Sequence, residues 1–471
     1  IVAFVPMLRL GDAVMIRTGP ARAEAVATDY LRGRGVAVGT FRHVTYLRND
    51  TLGSAADYVL ERMGARAAAR LYAEQIPPVS WRTRFYQPLK QEEYVVLVRP
   101  DGRVERMIHQ FDEKAPGARL DEPAALAKAQ AFLASPDIEP RVHLELYDLK
   151  EHDVVARDAR TDHTLVWEAK QAVVGDAVHR VTVTVTGDEA AGPHHWIKIP
   201  EAWLRAHTRL TAFGVLWIVF LCGLALSGLV MFMREMRSVT LRWRMHVMIG
   251  AGVALLNLVN AVNSVPNWAV NYTTSTAWGT ALAMQGAVAL VQVMFAFAGV
   301  AGLSAIAETL LSKRFGTLPL WPATRAERGR AVLQGLLAGA ASACAVIGVN
   351  TLMHVAMDAI PSPVRGLDTG LPGYPVSYLP WLAILTQILQ AALWSTLGLA
   401  ALAGIVLRTF RTRARVAIAL AVGAAIMAAA GALTPVHFFK LWLLAAVSFG
   451  ATAALIPLLR FNLVAWFTMY A

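Results

Sequence analysis

RMHVMIGAGVALLNLVNAVNSVPNWAVNYTTSTAWGTALAMQGAVALVQVMFAFAGVAGLSAIAE, residues 244–308, runs from Arg244 to Glu308 with no Asp, Glu, Lys or Arg between them. Two apolar runs, near 245–265 and 279–306, flank an uncharged polar loop. Each is long enough to cross about 30 Å of hydrocarbon, which takes roughly 20 residues. Further runs of this kind lie near 211–233, 331–357, 380–407, 415–433 and 441–459, and another begins at Phe461.

The composition agrees. The 471 residues are 56% hydrophobic and 16% charged, with a mean hydropathy of +0.45. A soluble domain carries about 25% charged residues, so disorder and a water-soluble enzyme are both excluded. The average hides two regimes, because the chain up to about residue 205 is mixed and charge-rich. The expected architecture is an α+β extracytoplasmic domain followed by an all-α polytopic membrane domain. Residues 1–8, with the apolar opening IVAFVPM, read as the end of an N-terminal membrane helix, 9–205 as the outer domain, and 206–471 as a membrane domain of about eight spans.

Lys and Arg in the short connections set the orientation, since translocating them is disfavoured. Arg234, Arg237, Arg242 and Arg244 follow the first full span, Lys313, Arg314, Arg325, Arg328 and Arg330 the third, and Arg408, Arg411, Arg413 and Arg415 the fifth. The alternate loops, around 263–278 and from Ile360 to Pro380, carry almost no net charge. Basic loops face the cytoplasm, which puts 9–205 outside, in the periplasm or at the external surface. Trp203, Trp217, Trp268, Trp278, Trp381 and Trp442 near span ends fit headgroup level. The net charge of +11 is accounted for by these inner loops facing an anionic leaflet, and no nucleic-acid partner is expected.

Both cysteines, Cys222 and Cys344, fall inside spans, so the outer domain rests on an ordinary core. Its sequence carries a weak repeat. Ala23, Val26, Ala27, Tyr30 and Leu31 form a helical stripe followed by an extended stretch, Val36 to Tyr46. Ala125, Leu126, Ala129, Phe132 and Leu133 form a second, followed by a strand, Val142 to Leu149. In EEYVVLVRPDGRVERMIHQF the Asp101-Gly102 pair supplies the positive backbone angles of a hairpin turn. Further strands are expected at His163 to Ala169, Val178 to Thr186 and His195 to Ile199. A helix on an antiparallel sheet, twice over, is the fold these signals give.

The stretches WRTRFYQPLKQEEYVVLVRPDGRVERMIHQFDEKAPGARL, RTDHTLVWEAK, VGDAVHRVTVTVTGD and IKIPEAW resemble the outer region of large bacterial members of the CAAX prenyl protease and bacteriocin-processing (CPBP) family of intramembrane metalloproteases. The likeness covers most of residues 20–245 and extends loosely into the membrane half. It implies PepSY-like repeats outside and a multi-span domain inside. Active members are expected to carry Glu-Glu-x-x-x-Arg, Phe-x-x-x-His and a further His motif on separate spans, where carboxylates and imidazoles hold a metal that lowers the pKa of a bound water.

This chain departs from that pattern. Alignment on VLRTF puts Ser395 and Thr396 at the glutamate positions and Ala400 near the arginine. His437, in TPVHFFK, has Leu433 where the Phe belongs, and Trp466 or Tyr470 stands at the third motif. The adjacent pair Glu92 and Glu93 lies in the outer hairpin, where neighbouring side chains point to opposite faces. The resemblance therefore implies a retained fold with its protease chemistry lost.

Other candidates have plainer readings. His354 and Asp358, four apart on one helical face, are weak metal candidates, read first as a polar helix end. Asn257, Asn260, Asn263, Gln285 and Gln292 are amides in spans, whose common use is interhelical hydrogen bonding; the other reading is a lined substrate cavity. Asp162 and His163, with His194 and His195, lack the spacing of a zinc site. No cofactor is expected. The function expected is a non-catalytic accessory or scaffold subunit, with other membrane protein subunits and lipids as partners. The alternatives are an active CPBP-type metalloprotease and a transporter or lipid-handling protein.

Overall fold

The structure, a computed structural model, describes residues 15–470 apart from 50–53, 75, 77–78, 136–139, 209–211, 239–240, 316–324, 359–374, 411, 432–434 and 460–461. The expected membrane helix at 1–8 lies outside the described residues.

The N-terminal domain, expected outside the membrane and called the outer domain on that expectation, is one eight-stranded antiparallel sheet in the order β1-β2-β3-β4-β8-β7-β6-β5. Its strands are β1 (Arg42–Asn49), β2 (Val79–Tyr86), β3 (Glu93–Val98), β4 (Val104–Gln110), β5 (Tyr147–Ala156), β6 (Thr161–Val174), β7 (Ala177–Thr186) and β8 (Glu189–Lys198). Each half has a helix leading into four strands, the first half with a further helix between β1 and β2, and the halves meet where Met107 of β4 faces Gly192 of β8.

Helix α1 (Pro20–Gly33) opens with Pro at its first position, where the missing N–H costs nothing, and buries Ala23, Ala27 and Leu31. This stripe covers Trp81, Phe85, Val96, Val98 and Met107. Helix α3 (Glu122–Leu133) is capped by Asp121, whose side chain accepts from the Ala124 N–H. Its stripe, Ala129 and Leu133, covers Leu165, Trp167, Val181, Val183 and Val185. The Asp101-Gly102 hairpin forms as expected, with Gly102 at φ +96.

Two strands begin later than expected. The 36–46 stretch holds a short 3-10 turn, Val38–Thr40, before β1, and the 142–149 stretch holds another, Leu144–Leu146, before β5. A helix not anticipated from sequence, α2 (Ser54–Glu74), is kinked at Gly64 (φ +76) and packs Tyr58, Val59, Leu71 and Tyr72 against Ala177 and Ile197. Trp203 of α4 (Glu201–Thr208) meets Tyr58 edge-on and donates to Glu61, which ties the approach to the membrane into the outer core.

The rest is helical: α5 (Ala212–Glu235), α6 (Trp243–Asn263), the single turn α7 (Val265–Trp268), α8 (Trp278–Phe315), α9 (Arg325–Asp358), α10 (Pro380–Thr409), α11 (Arg413–Gly431), α12 (Pro435–Leu459) and α13 (Leu463–Tyr470). Among the described residues six of these, in α5, α6, α8, α9, α10 and α12, are long and apolar enough to cross a membrane. The chain is a multi-pass membrane protein. The expected run at 415–433 appears as α11, whose apolar part is the shorter Ala414–Ala430. The run that begins at Phe461 appears as α13.

Close packing depends on small residues. A Cβ on Gly250 of α6 would lie 2.8 Å from the Phe297 carbonyl of α8, and one on Gly404 of α10 would lie 2.7 Å from Leu310 Cβ.

Candidate functional site

The residues with chemistry to offer gather along the seam of α6, α8 and α10. At its outer end the Asn263 amide donates to the Leu379 carbonyl and accepts from the Leu379 N–H, at 2.9 and 2.8 Å. One turn inward Thr386 donates to Asn260 at 3.1 Å, while Asn257 donates back to Val253 of its own helix. These three amides are used inside the bundle. An apolar layer of Val253, Val300 and Leu397 follows, all buried.

Below that layer, at the end bearing Arg244, His246 is fully buried. Its Nε2 is 2.6 Å from Glu308 Oε2 and its Nδ1 is 2.9 Å from Ser304 Oγ. The Ser304 hydroxyl donates to the Ala301 carbonyl, so its oxygen is left to accept from Nδ1–H. One further proton then lies between Nε2 and Oε2. Whether that proton sits on nitrogen or oxygen, the pair is neutral as a unit, which suits a buried site. Glu235 of α5 pairs with Arg408 of α10.

Two glutamines take no part in the seam. Gln285 and Gln292, on one face of α8, are exposed among Met284, Val288, Val291, Met294 and Phe295. Gln285 also borders a cavity of about 310 Å³ walled by Trp268, Tyr272, Thr276 and Trp278.

The outer domain is seated on the α6–α8 loop by Arg84. Phe85 faces the core under α1, so the alternation of β2 turns Arg84 and Tyr86 to the other face. The Arg84 guanidinium pairs with Glu93 through Nε and Nη2, at 3.0 and 2.5 Å. Its Nη1 donates to the carbonyls of Ala269, Val270 and Tyr272 at 3.2, 3.3 and 2.8 Å. Val44, Tyr86, Ala269 and Tyr272 close an apolar cluster around it, and the Leu89 N–H donates to the Thr274 carbonyl at 2.7 Å. The outer domain thus meets the helices at the end opposite to Arg244.

The positions aligned with protease motifs scatter. Ser395 is exposed, Thr396 is buried with no hydrogen-bond partner for Oγ1, and Ala400 is half-buried. Trp466 is buried beside Leu399 of α10, and Tyr470 is exposed. The structure brings α10 and α13 side by side but gathers no ionisable groups there from these positions. The side chains of His437, His354 and Asp358 lie outside the described residues. Among the described residues no three His, Cys, Asp or Glu side chains are placed to hold a metal ion. Asp162 is held by Arg160 and Arg157, and buried His163 contacts His152 and the Leu120 carbonyl, which is the structural role expected. Glu92 and Glu93 diverge as expected, Glu92 to Tyr94 and His109, Glu93 to Arg84.

Sequence reasoning missed His246, Glu308 and Arg84. Glu308 stood out only as the edge of the uncharged stretch, and no local spacing joins it to a histidine 62 positions away. No family model, curated protein or solved structure matches the chain.

Proposed function

We propose that the protein is a non-catalytic, pseudoprotease-like member of the CPBP type that works as an accessory or scaffold subunit of a bacterial inner-membrane complex. In this reading its outer domain, of PepSY-like repeats, is on the periplasmic side.

The observation that carries the proposal is the exposed pair Gln285 and Gln292. They lie about 10 and 21 Å along α8 from Trp278 at 1.5 Å per residue, inside the candidate span Trp278–Leu311. A primary amide facing hydrocarbon without a partner costs several kcal/mol, whereas Asn257, Asn260 and Asn263 are hydrogen-bonded within the chain. Amides a heptad apart on an exposed helical face suit a helix from another subunit. The buried Val253–Val300–Leu397 layer supports a packed body over a polar conduit, and the Arg84 seat fixes the outer sheet relative to that body.

The experiment is co-purification in a mild detergent. A stoichiometric membrane partner is expected with the native chain and is lost on the double substitution Gln285→Leu, Gln292→Leu. Retention of the same partner by the double variant overturns the assignment of this face.

A further inference from the structure

The second half of the outer domain holds a cavity of about 410 Å³ lined by Pro140, Arg141, His143, Leu146, Tyr147, Ala169, Lys170, Gln171, His179 and His195. Two cations, one amide, one phenol and three imidazoles face it, and none of these lining residues is a carboxylate. Arg141 forms no ion pair among the described residues, and Lys170 donates to the Glu145 carbonyl at 2.8 Å with Asp148 at 3.9 Å. A volume of this order suits a small ligand.

The hydrogen bonds at its floor have a direction. The Tyr147 hydroxyl lies 2.8 Å from His179 Nδ1, His179 Nε2 lies 3.3 Å from His195 Nδ1, and His195 Nε2 is buried with no partner. Burial holds His179 down at about 4, and burial with the neighbouring His179 holds His195 at about 3, so each ring carries one N–H at neutral pH. A buried N–H without an acceptor is the rarer orphan. The bare atom is therefore the lone pair of His195 Nε2. His195 Nδ1–H then donates to His179 Nε2, and His179 Nδ1–H donates to the Tyr147 oxygen. This leaves the Tyr147 O–H free to donate into the cavity that Arg141 and Lys170 also line.

We propose that this cavity binds a carboxylate joined to a short apolar group, held by the Tyr147 hydroxyl, Arg141 and Lys170 with the apolar part against Pro140, Leu146 and Ala169. Two sources share this chemistry, a free organic acid and the C terminus of a peptide.

Isothermal titration of the full chain in detergent, with acetyl-leucine, acetyl-leucinamide and acetyl-Ala-Ala-Leu as probes, tests the proposal. Saturable binding of acetyl-leucine is expected, with the amide at least tenfold weaker. Tyr147→Phe and Arg141→Gln should each weaken it at least fivefold with near-UV circular dichroism unchanged. Tighter binding of the tripeptide assigns the site to peptide C termini, and equal binding assigns it to free acids. Equal affinity for acetyl-leucine and its amide, or no saturable binding of either carboxylate at millimolar concentration, overturns the proposal.

Discussion

Arg84 of β2 and Glu93 of β3 are diagonal neighbours on one face of the sheet, with Nη2 2.5 Å from Oε2, and the same guanidinium reaches three carbonyls of a membrane-domain loop. Glu93 cancels the charge and fixes the plane of the fork, and the remaining donors grip a strip of backbone that has no other side-chain anchor among these contacts. This ion pair thus orients the sheet on the helices together with the Val44–Tyr86–Ala269–Tyr272 cluster and the Leu89–Thr274 hydrogen bond.

Replacing Arg84 should separate the two parts. Arg84→Ala leaves Glu93 partly buried without its cation, and Arg84→Lys keeps charge but loses the planar fork. A loss of about 3 kcal/mol is expected for Ala, in the range for breaking a buried pair, with a smaller loss for Lys. Calorimetry should then resolve two transitions where the native chain gives one. One unchanged transition for Arg84→Ala would show that the seat does not depend on this residue.

The shared proton of the His246–Glu308 pair predicts an asymmetry between substitutions. Glu308→Gln retains an N–H donor for His246 Nε2 and should cost about 1 kcal/mol, the worth of an ordinary hydrogen bond. His246→Leu strands a buried carboxyl and should cost about 3 kcal/mol or more. Thermal unfolding in detergent ranks the two, and an equal loss would contradict the proton assignment.

The outer domain should weaken in acid. His179 and His195 titrate in the fold at about 4 and about 3, below the ordinary 6.5. Their stabilising contribution is thus complete above pH 6.5 and is lost as pH falls towards those values, because the unfolded chain binds the protons first. At pH 5 this is about 2 kcal/mol for each ring. A fall in the outer-domain melting temperature between pH 7 and 5, reduced in His195→Gln, is the expected result. A flat profile would mean that the rings are not held neutral.

Gly250 and Gly404 set how closely the spans approach. Gly250→Leu pushes a side chain into the Phe297 backbone, and a loss of about 3 kcal/mol is expected. Gly252→Leu, with open space around it, serves as the control and should cost much less.

The stripes of α1 and α3, the Asp101-Gly102 turn and the long apolar helices were legible because each depends on spacing within a few residues. Helix α2 was not, since Gly64 at its centre breaks the stripe at a positive φ. The start of β5 was misplaced because pairing with β6, from Tyr147 opposite Ala169, sets it, and not the apolar alternation from Val142. The amides of the seam could be read as hydrogen-bonding groups, but nothing local told Asn260, which meets Thr386, from Gln285, which faces outward. His246 with Glu308, and Arg84 with the 269–272 carbonyls, are contacts between distant segments. A single sequence carries no signal for them.

Native mass spectrometry of the chain extracted in a mild detergent tests the central claim most directly, because one spectrum reports bound subunits and bound metal together. The account predicts a stoichiometric additional membrane polypeptide without zinc, released by the Gln285→Leu, Gln292→Leu double substitution. A lone chain carrying one tightly held zinc ion would contradict it and point to a metalloprotease.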